Sequence, residues 1–525
     1  MKTIYLNGTI RTMAGNETAE ALLEENGRIL QTGRAADLLG TCPAARRFDL
    51  QGHALLPGFI DGHSHITALA QTLLLCDLHG AKSFSEIAER LRAFCAARRT
   101  APGEWVMGFG YDPTALAENA HPTAEFLDRA LPKNPALLTH ASGHMGVLNS
   151  AAMQALGVTR DSEAPEGGVI GRKPDGTPNG YLEEAAFTQL SARMPRPGAK
   201  QTAQSLLAAE RIYLENGVTT VQDGLTRAPE WALLTGVREK LTADVVAYVD
   251  IACADLLREN AAYADSFRGK LRIGGYKLFL DGSPQGRTAW MTAPYAGETD
   301  YCGYPIHTDG EVERCMLKAV RENRQILVHC NGDAAADQMI AAYRKARAAC
   351  PNNVRPVMVH AQLVRRDQLA EMAQLGMLAS FFAAHVYHWG DAHLKNFGEK
   401  RAVGISPVRT ALALGVHCNF HQDSPVLPPD MLETLRCVIE RRTKAGVLLG
   451  PDERVTPLEA LRCMTIGGAY AYFEENEKGT LESGKIADMV VLNRDPAACP
   501  AEALGELQVL ATIKNGKAVY QREAK

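Results

Sequence analysis

The sequence LPGFIDGHSH occupies residues 56–65, where an apolar run ends in two histidines that are one residue apart. If this run is a β-strand, its side chains alternate between two faces, so His63 and His65 point to the same side. Two imidazoles at one strand end can bind a single metal ion. A lone His-x-His pair is a weak signal, but here an apolar strand leads into it and further candidate ligands follow on later strands. The stretch therefore predicts a strand that ends at a metal site.

Composition predicts a globular, cytoplasmic protein of two or three domains, since 525 residues are too many for one core. Hydrophobic residues make up 46%, and a net charge of −4 gives no reason to expect nucleic acid or a membrane surface as a partner. Residues 1–8 lack the apolar core of a signal peptide, and no run approaches the roughly 18–20 apolar residues of a membrane span. The 12 cysteines include no Cys-x-x-Cys pair, which is typical of reduced thiols.

Both ends of the chain alternate short apolar runs with turn signals. Residues 1–56 contain Asn7-Gly8 and Asn26-Gly27, and residues 476–525 contain Asn515-Gly516, which are typical hairpin turns. We expect the two ends to form one small β-sandwich, because neither end alone offers enough core. Two unrelated β appendages are the alternative.

The middle of the chain, residues 57–475, alternates strand-like and helix-like segments. Eight strand candidates lie at residues 58–62, 219–223, 245–251, 273–280, 326–329, 357–360, 377–381 and 416–420. This alternation predicts an α/β fold, a closed (β/α)₈ TIM barrel of parallel strands. A doubly wound open sheet is the alternative, but no Gly-x-Gly-x-x-Gly turn follows the first strand. An insertion of about residues 75–185 separates the first two strands and forms either a lid or a surface excursion.

Barrel enzymes carry their chemistry at the carboxyl ends of the strands. Besides His63 and His65, the strand ends carry His329, His360 and Asp423. Four imidazoles and one carboxylate converging on one side of a barrel predict a divalent metal site. The donor set suits zinc best, and manganese, iron or cobalt less well.

Other polar residues near the strand ends have open roles. Lys277 lies inside an apolar strand and needs a partner, because a buried ammonium is costly, and Asp281 is a candidate for that partner. His421 orients either Asp423 or the substrate. The further candidates for substrate binding, each with a structural alternative, are Tyr111, His144, Arg287, His388 and Trp389.

At this point the chain resembles the amidohydrolase superfamily over nearly its whole length. Residues 57–65, PGFIDGHSH, resemble the first-strand motif of that family, and residues 481–492, LESGKIADMVVL, resemble its C-terminal signature. More narrowly, the chain is similar to the branch that contains N-substituted formamide deformylase. The segments that carry this likeness are residues 142–144 with 149–150, 277–287, 389–391 and 441–443.

The resemblance implies a (β/α)₈ barrel with a small β-sandwich, and metal ligands at His63, His65, His329, His360 and Asp423. In binuclear members a strand-four lysine is carbamylated and bridges two metals, and Lys277 occupies that place; a site with one ion is the alternative. The family also implies a homodimer. One departure is residues 379–388, ASFFAAHVYH, where close relatives often carry Gln-Pro, and this change predicts an altered pocket.

These observations predict a hydrolase that cleaves a C–N bond of a small molecule. Metal-activated hydroxide attacks a linear amide, such as an N-substituted formamide or an N-acyl compound, and Asp423 carries the proton to the leaving nitrogen. Deamination or ring opening of a cyclic amide or amidine is the second hypothesis. A non-catalytic binding protein built on the same barrel is the third.

Overall fold

The computed structural model describes residues 2–15, 18–195 and 197–523. Its largest sheet has eight parallel strands, paired in chain order from the first to the last. The strands are β1 Phe59–Ile60, β2 Val218–Thr226, β3 Asp244–Asp250, β4 Leu271–Phe279, β5 Gln325–Cys330, β6 Val357–His360, β7 Leu378–Phe381 and β8 His417–Phe420. Just after β1, the Gly62 amide donates to the Phe420 carbonyl at 3.0 Å, which brings the first and last strands together. The predicted α/β class is confirmed, and the eight-stranded sheet fits a TIM-like barrel.

Apolar strands that are covered on both faces explain this sheet. In β3, six consecutive residues are buried, as expected for a parallel strand with side chains packed inside and helices outside. The helices of this part of the chain are Ala35–Thr41, Ile66–Thr72, Ala199–Glu215, Ala228–Val237, Ala254–Glu259, Ala261–Asp265, Asp309–Arg321, Asp333–Ala349, Arg366–Leu375, His385–Phe397, Glu399–Ala402, Val408–Ala413, Met431–Glu440, Pro457–Met464 and Ile466–Ala471. None of the helices in the described ranges is both long and apolar enough to span a membrane.

Two further sheets form from the ends of the chain. A four-stranded sheet has the order Arg28–Gly33, Ala21–Glu25, Lys2–Leu6, Arg46–Asp49. A six-stranded sheet has the order Lys517–Gln521, Val509–Lys514, Met489–Leu492, Ala54–Pro57, Thr9–Arg11, Thr18–Ala19. Strands from both chain ends therefore share the second sheet, with Met489–Leu492 antiparallel to Ala54–Pro57.

A buried ionic cluster connects the start of β3 to the C-terminal segment. The Asp244 carboxylate accepts from Lys478 Nζ at 2.7 Å and from Lys514 Nζ at 2.6 Å, and Lys514 also contacts Asp488 at 2.6 Å. Buried charges are tolerated when they are paired in this way, and removing one partner leaves the other uncompensated.

The chain divides into two compact units, one of residues 1–69 and 206–525 and the other of residues 70–205. The second unit has its own six-stranded sheet, ordered Gly168–Arg172, Pro178–Glu183, Met145–Leu148, Ala136–His140, Val106–Tyr111, Leu75–Asp77. Its helices are Phe84–Arg98, Ala124–Ala130, Ser150–Leu156 and Glu184–Ala192. A core that includes Leu78, Leu91, Leu127 and Leu138 lies between sheet and helices.

Candidate metal centre

Three predicted ligands meet where β1 and β8 end. The Oδ1 atom of Asp423 lies 3.5 Å from the Nε2 atom of His63 and 3.4 Å from the Nε2 atom of His65. The candidate ligand atoms of all three residues lie within 4.8 Å of one another. Oδ1 is buried and has no hydrogen-bond partner among the described residues. A buried carboxylate oxygen between two imidazole nitrogens, with no donor of its own, fits a bound divalent cation.

His360 and His329 extend this group along β6 and β5. His360 Nε2 lies 4.0 Å from Asp423 Oδ2, and the rings of His329 and His360 are 4.6 Å apart. The His63 ring lies 5.8 Å from the His360 ring. The structure thus gathers the four histidines and the aspartate that the sequence predicted as ligands.

Burial keeps the imidazoles of His63, His360 and the neighbouring His421 neutral. Desolvation lowers the pKa of His63 and of His360 well below the usual value, and it lowers the pKa of His421 to about 3. A neutral imidazole has a free lone pair, which is the form that binds a metal. The centre therefore offers ligand-competent nitrogens at neutral pH.

Lys277 is fully buried beside the same group. Its Nζ lies 3.2 Å from His63 Nε2 and 4.9 Å from the centre of the Phe279 ring. Burial lowers the pKa of Lys277 to about 7, so a large fraction of its amine is neutral near neutral pH.

Asp281 does not act as the partner of Lys277, and that expectation is wrong. Its carboxylate accepts instead from the backbone amides of Trp290, Asn331 and Gly332, at 3.1, 3.0 and 2.7 Å. It also lies 3.3 Å from the Nδ1 atom of His329. The physical reason is that β4 ends at Phe279, so strand alternation does not extend to this residue.

Polar side chains also contact the Nδ1 atoms of His63, His360 and His421. His63 Nδ1 lies 2.5 Å from Gln222 Oε1, a contact that the sequence did not predict. His360 Nδ1 lies 3.1 Å from His421 Nε2, and His421 Nδ1 lies 2.9 Å from Ser380 Oγ. His421 therefore supports His360 rather than Asp423. The only indication of Gln222 in the sequence is its own long polar side chain, which lies inside strand β2.

Three of the candidate substrate-binding residues belong to the barrel, and each makes a different contact. Arg287 pairs with Glu298 at 2.7 Å, which is the structural alternative that the sequence left open. His388 Nε2 lies 3.2 Å from Glu433 Oε1. The Trp389 ring lies 5.8 Å from the Phe382 ring, which in turn lies 6.1 Å from the ring of His360. Trp389 is thus the candidate that aromatic contacts link to the ligand group.

Tyr111 and His144 lie in the second unit. Tyr111 is fully buried, and its hydroxyl lies 3.0 Å from His121 Nδ1. His144 is exposed and lies 3.2 Å from Glu184 Oε2. Their predicted contact with substrate stays a prediction.

Comparison with known proteins places this geometry in a family. The chain is 29% identical to the N-substituted formamide deformylase of Arthrobacter pascens, over 99% of this chain and 98% of that protein. It is 27% identical to a putative amidohydrolase of Bacillus subtilis, over 99% and 100% of the two chains. The crystal structure of an uncharacterized metal-dependent hydrolase from Pyrococcus furiosus superposes with a TM-score of 0.76 at 27% identity, over 95% of this chain and 100% of that one. Residues 46–520 match the amidohydrolase family, and the chain belongs to that family as predicted.

Proposed function

We propose that this protein is a metal-dependent hydrolase that cleaves the C–N bond of a linear amide, an N-substituted formamide or N-acyl compound. The observation that carries the proposal is the buried, unpartnered Asp423 Oδ1 between the Nε2 atoms of His63 and His65. The similarity to a formamide deformylase and to a metal-dependent hydrolase supports the reaction class.

The residues that would hold the metal are His63, His65, His329, His360 and Asp423. A bound divalent ion, for which zinc suits the donor set best, lowers the pKa of water toward neutrality and polarises a carbonyl. Lys277 supplies a buried amine that is partly neutral, and the neutral amine is the form that reacts with carbon dioxide. A carbamate on Lys277 would add an anionic ligand and favour two ions over one.

Asp423 is the proton carrier in this proposal. Its Oδ1 atom is free of hydrogen-bond donors among the described residues, so it is available to accept a proton from the attacking water. The same carboxyl group then donates that proton to the departing nitrogen, so one residue acts first as the general base and then as the general acid. Trp389 and His388 are proposed to contact the substrate from the barrel.

A substrate panel tests the proposed reaction. Metal-loaded protein is assayed with N-substituted formamides, N-acyl amines and cyclic amides or amidines, and the released carboxylate, amine and ammonia are measured separately. Release of carboxylate and amine in equal amounts from a linear amide supports the proposal. Release of ammonia, or a ring-opened product, assigns the second hypothesis instead. Metal-loaded protein that binds panel members without turnover would indicate a binding protein.

A further inference from the structure

The hydrogen bond between His63 and Gln222 has one donor and one acceptor that the surroundings determine. Gln222 and His63 are both buried, and Gln222 Oε1 lies 2.5 Å from His63 Nδ1. An imidazole nitrogen either donates or accepts, according to the tautomer. Which tautomer His63 adopts therefore depends on which end of the Gln222 amide faces it.

The remaining bonds of Gln222 settle that orientation. Its other amide atom, Nε2, lies 3.0 Å from the carbonyl oxygen of Gly62 and 2.9 Å from the hydroxyl oxygen of Tyr472. A carbonyl only accepts, and the Tyr472 hydroxyl donates its proton to the carbonyl of Asp61 at 2.6 Å. Two acceptors thus hold the NH₂ end, and the atom facing His63 is the carbonyl oxygen of the amide.

We propose that Gln222, itself oriented by Tyr472, is a positioning residue that keeps the proton of His63 on Nδ1 and leaves Nε2 bare toward the metal centre. This inference rests on the proposed function, because it assigns a purpose to the bare Nε2. Partners of this kind fix the ring and tautomer of a metal-binding histidine.

The pairing of the strands brings Gln222 next to His63. Strand β2 pairs with β1, so its side chains lie beside those that follow β1. Tyr472 directly follows the helix Ile466–Ala471, which lies near the amino-terminal ends of the strands, since the Ala471 carbonyl accepts from Gln325, the first residue of β5. Two segments distant in sequence therefore converge on the non-ligating nitrogen of one histidine.

Replacing Gln222 with leucine tests the inference against a matched control. Gln325 is also buried and makes the same pattern of bonds: its Nε2 donates to the carbonyls of Arg355 and Ala471, both at 2.9 Å, and its Oε1 accepts from Tyr248 at 2.5 Å. It contacts no candidate ligand among the described residues. Q222L and Q325L therefore remove equivalent hydrogen bonds, and only Q222L removes one from a metal-binding histidine.

The first measurement is zinc affinity, by competition with a chelator on the full-length apo protein. We expect Q222L to bind zinc about 10–100-fold more weakly than wild type, while Q325L keeps the wild-type affinity. Tyr472→Phe removes one hydrogen-bond acceptor of the Gln222 amide and keeps the aromatic ring. It should therefore weaken zinc binding by less than Q222L. Equal affinities of Q222L and Q325L would overturn the inference.

The second measurement reads the tautomer without metal. In apo protein with ¹⁵N-labelled histidine, the His63 resonances are assigned by their loss in His63→Asn. We expect a protonated Nδ1 in wild type and in Q325L, and a mixture of tautomers in Q222L. A protonated Nε2 in wild type would overturn the inference. Wild-type protein that binds no divalent metal would instead refute the proposed function, and the tautomer would still be decided by this spectrum.

Discussion

Replacing Asp423 with asparagine tests the proposed chemistry directly. The carboxylate oxygen that lies 3.5 Å and 3.4 Å from the two histidine nitrogens becomes part of a neutral amide of nearly the same shape. An amide cannot take up a proton and return it as an acid does. Removing a positioned proton carrier costs about 10²–10⁴-fold in rate, which is about 3–5 kcal/mol because each tenfold change equals about 1.4 kcal/mol.

The assay measures kcat/KM for the best amide of the panel, with metal content determined on the same samples at saturating zinc. Asp495→Asn is the matched control, because Asp495 pairs with Arg11 at 2.7 Å and contacts no candidate ligand in the described ranges. We expect the control to keep the wild-type rate. Asp423→Asn protein that holds its full metal and turns over at the wild-type rate would refute the assigned role.

Three further changes have defined outcomes. Lys277→Met should remove from the intact-protein mass the increment of one carbon dioxide that we expect in wild type under non-acidic conditions; a wild-type mass without that increment contradicts carbamylation. Trp389→Ala should raise KM for amides with bulky N-substituents more than it lowers kcat, and an unchanged KM would remove this ring from the substrate pocket. Asp244→Asn should lower the free energy of unfolding in urea, but by less than the about 3–5 kcal/mol that an uncompensated buried charge costs, because Lys514 keeps Asp488 and Lys478 keeps Glu474 as partners. A loss of unfolding free energy as small as that of a substitution at an exposed position would contradict a stabilising role of the ionic cluster around Asp244.

The pH dependence of stability follows from the same cluster. Burial by itself raises the pKa of Asp244, but the ammonium groups of Lys478 and Lys514 outweigh it and hold that pKa below its ordinary value. A group with a depressed folded pKa stabilises the protein above its unfolded pKa of about 4 and loses that contribution as the pH falls toward the folded value. Wild type should therefore lose more stability than Asp244→Asn on acidification below about pH 4, measured by urea unfolding at each pH.

The eight strands could be predicted because most of them are nearly continuous apolar runs that alternate with helix-like segments. Polar residues stand at or just beyond the ends of these runs, so the strand ends alone indicate the ligand candidates. His63 and His65 required only strand alternation, and Asp423 required only that β8 end beside β1. The Gly62–Phe420 hydrogen bond is the contact that brings those two ends together.

The supporting contacts could not be predicted in the same way. Gln222 is 159 positions from His63, and their contact depends on the exact register between β1 and β2. Asp281 lies four positions after Lys277, and strand periodicity placed the two on one face. That reasoning failed because the strand had already ended. Periodicity describes residues inside an element and does not apply to one that lies just beyond it, as Asp281 does.

The backbone at the centre shows why strand periodicity is insufficient there. His360, Ala361 and Asp423 all have left-handed φ values, of 74°, 47° and 53°, which residues with a Cβ rarely adopt. Each costs about 1–3 kcal/mol and persists only where surrounding contacts determine it. Here the Ala361 amide donates to the Cys330 carbonyl at 3.1 Å, across neighbouring strand ends. His360 Nε2 and Asp423 Oδ2 lie 4.0 Å apart, so both residues depart from regular strand geometry at the ligand centre itself, where strand alternation no longer predicts which way a side chain faces.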